Sequence, residues 1–144
     1  MTNQNSKLKV AICGSMVFTD EMLETQKKLE TLGNTVFVSG FAQSHLGKSM
    51  EDREKLAIKQ KNENDAMREY WNLIQTVDAI LVLNLDKRGV KNYIGGNAFL
   101  EMGFAYVLNK KIYVLNDLPE NDIYKSEIEA MRPVVVNGDL EKII

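Results

Sequence analysis

Asp78-Ala79-Ile80-Leu81-Val82-Leu83-Asn84 is the stretch that decides the fold. Its apolar run is too short for an ordinary helix, and Ile and Val favour extended backbone. A strand apolar on both faces must be covered on both, as in the centre of a parallel sheet. Upstream, Lys9-Val10-Ala11-Ile12-Cys13 has the same character and stops at Gly14-Ser15, and Thr35-Val36-Phe37-Val38 stops at Ser39-Gly40. Downstream, Lys111-Ile112-Tyr113-Val114-Leu115-Asn116 and Val134-Val135-Val136 repeat it.

Between these strands the spacing predicts helices. One covers residues 19–32, capped by Thr19 or Asp20, with Met22, Leu23, Leu29 and Leu32 on its apolar face and Gly33-Asn34 as its stop. A charged helix covers 51–76, broken near 62–64, and others cover 97–108 and 122–131. Residues 41–50 and 85–96 read as loops, and 139–144 close the chain. Strands alternating with helices imply an α/β flavodoxin-like, doubly wound five-stranded parallel sheet, order 2-1-3-4-5, with helices on both faces. One domain over 1–144 is expected. In that order the chain reverses between strands 1 and 3, so a ligand crevice is expected above their carboxyl ends. Gly14-Ser15-Met16-Val17-Phe18 and the loop from Asn84 to Gly96 meet there.

Composition narrows the function. With 44% hydrophobic and 26% charged residues the chain is globular rather than disordered. A net charge of −2, with lysines interleaved among acids, gives no basis for binding a nucleic acid polymer or a membrane surface. One cysteine, Cys13, and one histidine, His45, leave no internal disulfide and no zinc set without carboxylates. No metal or cofactor is expected. The polar start Met1-Thr2-Asn3-Gln4-Asn5-Ser6 has no signal-peptide character, and no apolar run reaches a membrane span, so a cytoplasmic protein is expected.

The helix over 97–108 carries a single charge, Glu101, and should be buried on most faces. Its lone carboxylate must be paired, hydrogen-bonded or kept for chemistry. One reading has it stabilised by the helix dipole, worth under about 1 kcal/mol, or by a lysine. The other makes it a reactive group beside the crevice. Gly95-Gly96-Asn97 is either a tight turn offering N–H groups to an anion or sugar hydroxyl, or a loop end with an N-cap. No G-x-G-x-x-G follows strand 1 and there is no P-loop, which argues against a dinucleotide-binding domain. Asp86 is placed to orient a ligand hydroxyl and Lys87, Arg88 and Lys91 to meet a phosphate, unless the run is a surface turn. His45 is expected at the surface and Cys13 in packing. Tyr70 and Trp71 pack on the sheet, line the crevice or form a subunit contact.

In order along the chain, Val10-Ala11-Ile12-Cys13-Gly14-Ser15, Phe18-Thr19-Asp20, Asp78-Ala79-Ile80-Leu81-Val82 and Gly96-Asn97-Ala98-Phe99-Leu100-Glu101-Met102-Gly103-Phe104-Ala105 resemble the nucleoside 2-deoxyribosyltransferase superfamily, which includes the 2′-deoxynucleoside 5′-phosphate N-hydrolases. The last segment is similar to the family's G-x-x-x-E-x-G-x-A with one extra residue. The resemblance implies a small-molecule nucleoside or nucleotide as ligand and Glu101 as nucleophile, forming a glycosyl-enzyme intermediate. The crevice at the switch point puts Gly14, Ser15, Met16, Asn84, Gly95, Gly96 and Asn97 forward as substrate contacts. Tyr70 stands where the family has a helper aspartate, which leaves Tyr70 and Asp86 as secondary catalytic candidates. Met16-Val17 stands where the hydrolase branch has an arginine for the 5′-phosphate. A homo-dimer or higher homo-oligomer is implied, with Met131 reaching the neighbouring site. Three alternatives stay open: a non-catalytic nucleotide-binding or sensing module, a phosphoribohydrolase of the "lonely guy" type, whose G-G-x-G-T-x-x-E turn is similar to Gly95 through Glu101, and a flavodoxin-like FMN carrier.

Overall fold

The computed structural model describes residues 7–120 and 123–144. The polar start at 1–6 and Asp122, the expected first residue of the 122–131 helix, lie outside the described residues. The elements follow in the order β1 (Lys9–Cys13), α1 (Thr19–Thr31), β2 (Thr35–Phe37), α2 (Met50–Glu63), α3 (Ala66–Thr76), β3 (Ala79–Val82), α4 (Gly96–Val107), β4 (Lys111–Val114), α5 (Lys125–Ala130) and β5 (Val134–Val135). All five strands are parallel, in the order β2-β1-β3-β4-β5. This is the doubly wound, flavodoxin-like sheet expected from the strand pattern.

Alternation along the strands divides the core in two. Ala11, Cys13, Ile80 and Val82 pack with Tyr70 and Ile74 of α3, Ala98, Met102 and Ala105 of α4, and Ile128 of α5. Val10, Ile12, Ala79 and Leu81 pack on the opposite face with Met22 and Leu29 of α1 and with Ile143 near the chain end. β3 is buried at every position because it sits in the middle of both clusters. Among the described residues no helix is long and apolar enough to cross a membrane.

Two features place the site. The helical stretch over 51–76 is two helices, broken as expected, where Asn64 caps α2 and Asp65 takes a left-handed φ of 56°. The break lets α3 pack on the sheet while α2 turns residues toward the carboxyl ends of the strands. The second is α4, which departs from the expected burial: its Leu100, Tyr106 and Val107 are exposed although the helix is almost uncharged. Ala98, Met102 and Ala105 are buried in the core and Phe99 and Phe104 pack at its margin, which leaves Leu100, Tyr106 and Val107 as apolar surface that the described residues do not cover.

Candidate active site

The carboxyl end of β1 delivers Cys13, Gly14 and Ser15 to the point where the sheet order reverses. Gly14 has φ +152°, and a β-carbon there would lie 3.2 Å from the Leu83 carbonyl oxygen and 3.3 Å from Cε of Met22. Glycine therefore lets the β1 turn approach β3 closely. Ser15 follows and caps a 3-10 turn over Met16–Phe18, accepting from the N–H of Val17. Above this edge opens a cavity of about 400 Å³, within the size range of small-molecule sites. Its floor is Cys13 through Met16, Tyr70 and Glu101; Tyr93 and Gly95 through Ala98 form one wall; α2 supplies the roof.

Glu101 is 6% exposed and lies one helical turn past Asn97, whose Nδ2 donates to its Oε2 at 3.0 Å. The Cys13 thiol donates to the same carboxylate. Burial pushes the Glu101 pKa up from 4.5 to about 8, against the opposing hydrogen bonds from Cys13 and Asn97 and the through-space attraction of Lys61. The Cys13 thiol is held well above its ordinary range, first by burial and then by Glu101, so it keeps its proton and acts as a donor. The stabilising partners of Glu101 are thus two neutral donors and one more distant cation. Such a carboxyl is largely neutral at pH 7 and ionises as pH rises through about 8.

Tyr70 lines the floor, but its hydroxyl donates to the Ile12 carbonyl, and burial raises its pKa well above 10. Its proton is committed to the β1 backbone. Gly95 lets the Tyr93 ring fold back, since a β-carbon there would come to 2.6 Å from the Tyr93 hydroxyl. Gly95 carries no capping side chain, and Asn97 turns instead to Glu101.

The remaining expected residues divide. Gly14, Ser15, Met16, Gly95, Gly96 and Asn97 border the cavity. Asn84 does not: it is fully buried, and its amide accepts from the Asn116 N–H at 2.9 Å and donates to the Asn116 and Asp117 carbonyls at 2.9 Å each. It is a clamp joining the ends of β3 and β4. Asp86 also lies outside the cavity; it is exposed, and its Oδ1 accepts from the Asn92 N–H at 2.9 Å, closing its own loop. Met131 packs from the end of α5 against the lower core, away from this chain's cavity. His45, expected at the surface, is fully buried. A 3-10 turn over Ala42–His45 tucks it against α2, where its Nε2 donates to Gln60 Oε1 at 2.9 Å while Gln60 Nε2 donates to Ser44. Among the described residues no cluster of three or more His, Cys, Asp or Glu could hold a metal ion.

No family model matches the chain, and no curated protein matches it.

The residues that sequence reasoning missed come mainly from the roof. Glu54, Ala57, Ile58 and Lys61 of α2 face the cavity at helical spacing. Arg53 beside them is 6% exposed and fastens α2 down, donating to the Lys48 and Val17 carbonyls at 3.0 and 3.1 Å and pairing with Asp20 at 2.9 Å. At the rim, Lys87 reaches Ser15 Oγ at 3.1 Å and Glu54 Oε2 at 2.9 Å and lies 4.9 Å over the Tyr93 ring. Arg88 pairs with the other oxygen of Glu54. The spacing 54, 57, 58, 61 was the one sequence signal available for this roof.

Proposed function

We propose that the protein cleaves or transfers the N-glycosidic bond of a nucleoside-like substrate, with Glu101 as nucleophile. The observation that carries this reading is a single buried carboxylate on the cavity floor, held by Asn97 and Cys13 and aimed with them at the strand ends. In the ionised form it attacks the anomeric carbon. The electron pair of the bond from that carbon to the base nitrogen goes to the nitrogen, the base leaves as its anion and takes a proton from solvent water, and a glycosyl ester of Glu101 remains. Water or a second base then takes the sugar and frees the carboxylate. Asn97 and Cys13 favour the ionised form by donating to it, and the apolar surroundings leave it weakly solvated and so more nucleophilic.

The test is chromatographic detection of free base after incubation with a panel of nucleosides and 5′-monophosphates. Wild-type protein releases base from at least one, and Glu101→Ala does not; undiminished release in that variant would sink the assignment. One observation favours a second reading, a binding or sensing module without turnover: Tyr70 commits its hydroxyl to the backbone and leaves no evident acid on the floor for the departing base. Tight binding of a nucleoside with no release of base over days would select that reading.

A further inference from the structure

The roof helix brings an anion of its own to the cavity rim. Glu54 and Lys61 stand two turns apart on α2, about 10 Å along its axis, so they face opposite ends of the same space. Lys61 acts on Glu101 at the floor. Glu54 lies between Lys87 and Arg88, one carboxylate oxygen to each, and Lys87 also holds Ser15. Two cations, a serine hydroxyl and an adjacent aromatic face make an arrangement suited to a phosphate or carboxylate. In this chain that position is already filled from within. Lys87 is only 11% exposed and Glu54 23%, so the pair is partly shielded from solvent. The hydrogen bond from Lys87 holds the Glu54 carboxyl below its ordinary pKa, so its charge is permanent at neutral pH.

We propose that Glu54 is a specificity-determining residue: it occupies the anion position formed by Lys87, Arg88 and Ser15, and so selects unphosphorylated nucleosides over their 5′-monophosphates. This rests on the nucleoside reading of the cavity for the identity of the ligand, but not for the existence of the filled anion position. A ligand phosphate entering the rim must displace Glu54 or lie against it. Either costs affinity that an uncharged sugar hydroxyl, able to bond Ser15 or Lys87, does not lose.

The experiment uses the full chain, wild type beside Glu54→Gln and Glu54→Ala, with two kinds of probe. Inorganic phosphate is titrated against the amide signals of Ser15 and Lys87 in nuclear magnetic resonance spectra. Thymidine and thymidine 5′-monophosphate, with the corresponding purine pair, are titrated by calorimetry on a Glu101→Gln background to prevent turnover. Removing one negative charge in contact with the probe should tighten phosphate binding about tenfold and shift the nucleotide-to-nucleoside affinity ratio by a similar factor. The wild type should favour the nucleosides. Phosphate affinity unchanged in both Glu54 variants, or wild-type preference for the monophosphates, overturns the proposal. A phosphate site that appears on removing Glu54, with no nucleoside bound by any variant, upholds the filled anion position and instead overturns the nucleoside reading. Both variants should fold, since Glu54 lies at the half-exposed rim of the cavity and belongs to neither core cluster.

Discussion

Two glutamates face one cavity under opposite conditions. Glu101, on the floor, is buried with neutral donors for partners and has its pKa raised to about 8 by desolvation. Glu54, at the rim, is partly solvated between two cations and has its pKa lowered, chiefly by Lys87. Surroundings alone separate them: at neutral pH one carboxyl keeps its proton and the other keeps its charge. The floor holds a group whose state changes near working pH, which suits chemistry. The rim holds a fixed charge, which suits selection.

Replacing Glu101 breaks this contrast most severely. Glu101→Gln should lower base release by roughly a thousandfold or more, as loss of a nucleophile does. It should also stabilise the fold. A carboxyl bound more tightly to its proton in the folded than the unfolded state loses stabilisation as pH climbs from the unfolded value near 4.5 through about 8. Glutamine has no charge to expose, so by pH 9 the variant should exceed wild type by about 2–4 kcal/mol in urea unfolding. Near pH 4 the two should unfold alike. A variant no more stable at pH 9 than at pH 4, relative to wild type, would mean that Glu101 is ionised in the native state at neutral pH.

The pH profile sharpens the same point. With ionised Glu101 as nucleophile, kcat/KM should rise about tenfold per pH unit toward about 8 and level off above it. A profile that falls through the same midpoint would make Glu101 a proton donor instead. Asn97→Ala, which removes the 3.0 Å hydrogen bond to the carboxylate, should move the midpoint upward and cost about tenfold at pH 7. Measuring both quantities separates this role from general damage, because a merely unfolded fraction lowers the rate without moving the midpoint.

Much of this was legible in advance, and the limits follow physical lines. β1, β3 and β4 announce themselves because a strand covered on both faces must be apolar throughout, and the sheet order followed from their alternation with helices. Glu101 was legible because a lone charge in an apolar helix is conspicuous. The roof was not: α2 has no apolar stripe, and its contact residues at 54, 57, 58 and 61 mix charge with alanine and isoleucine, so it read as a solvated helix. His45 read as a surface residue because its partner Gln60 is fifteen positions away and only the turn beneath α2 unites them. Asn84 and Asp86 illustrate a shared ambiguity. A polar side chain at the end of a strand serves ligands or the backbone equally well, and here both bond to neighbouring backbone.

The smallest expected effect separates fastening from selection at the rim. Arg53 and Arg88 both pair with carboxylates near α2, at very different exposure. Arg53 places three donor nitrogens on Lys48, Val17 and Asp20, and its side chain is 8% exposed. Arg88 bonds Glu54 alone and its side chain is 62% exposed. Truncating Arg53 to alanine leaves two backbone carbonyls without their donor and opens space beneath α2, so a loss of about 2–3 kcal/mol is expected. Arg88→Ala should cost under about 1 kcal/mol, and that cost should fade in about 1 M salt, where exposed pairs are screened. If Arg88→Ala proved as damaging as Arg53→Ala and insensitive to salt, Arg88 would be a fastener of the roof, and the rim would be too rigid to discriminate ligands by charge.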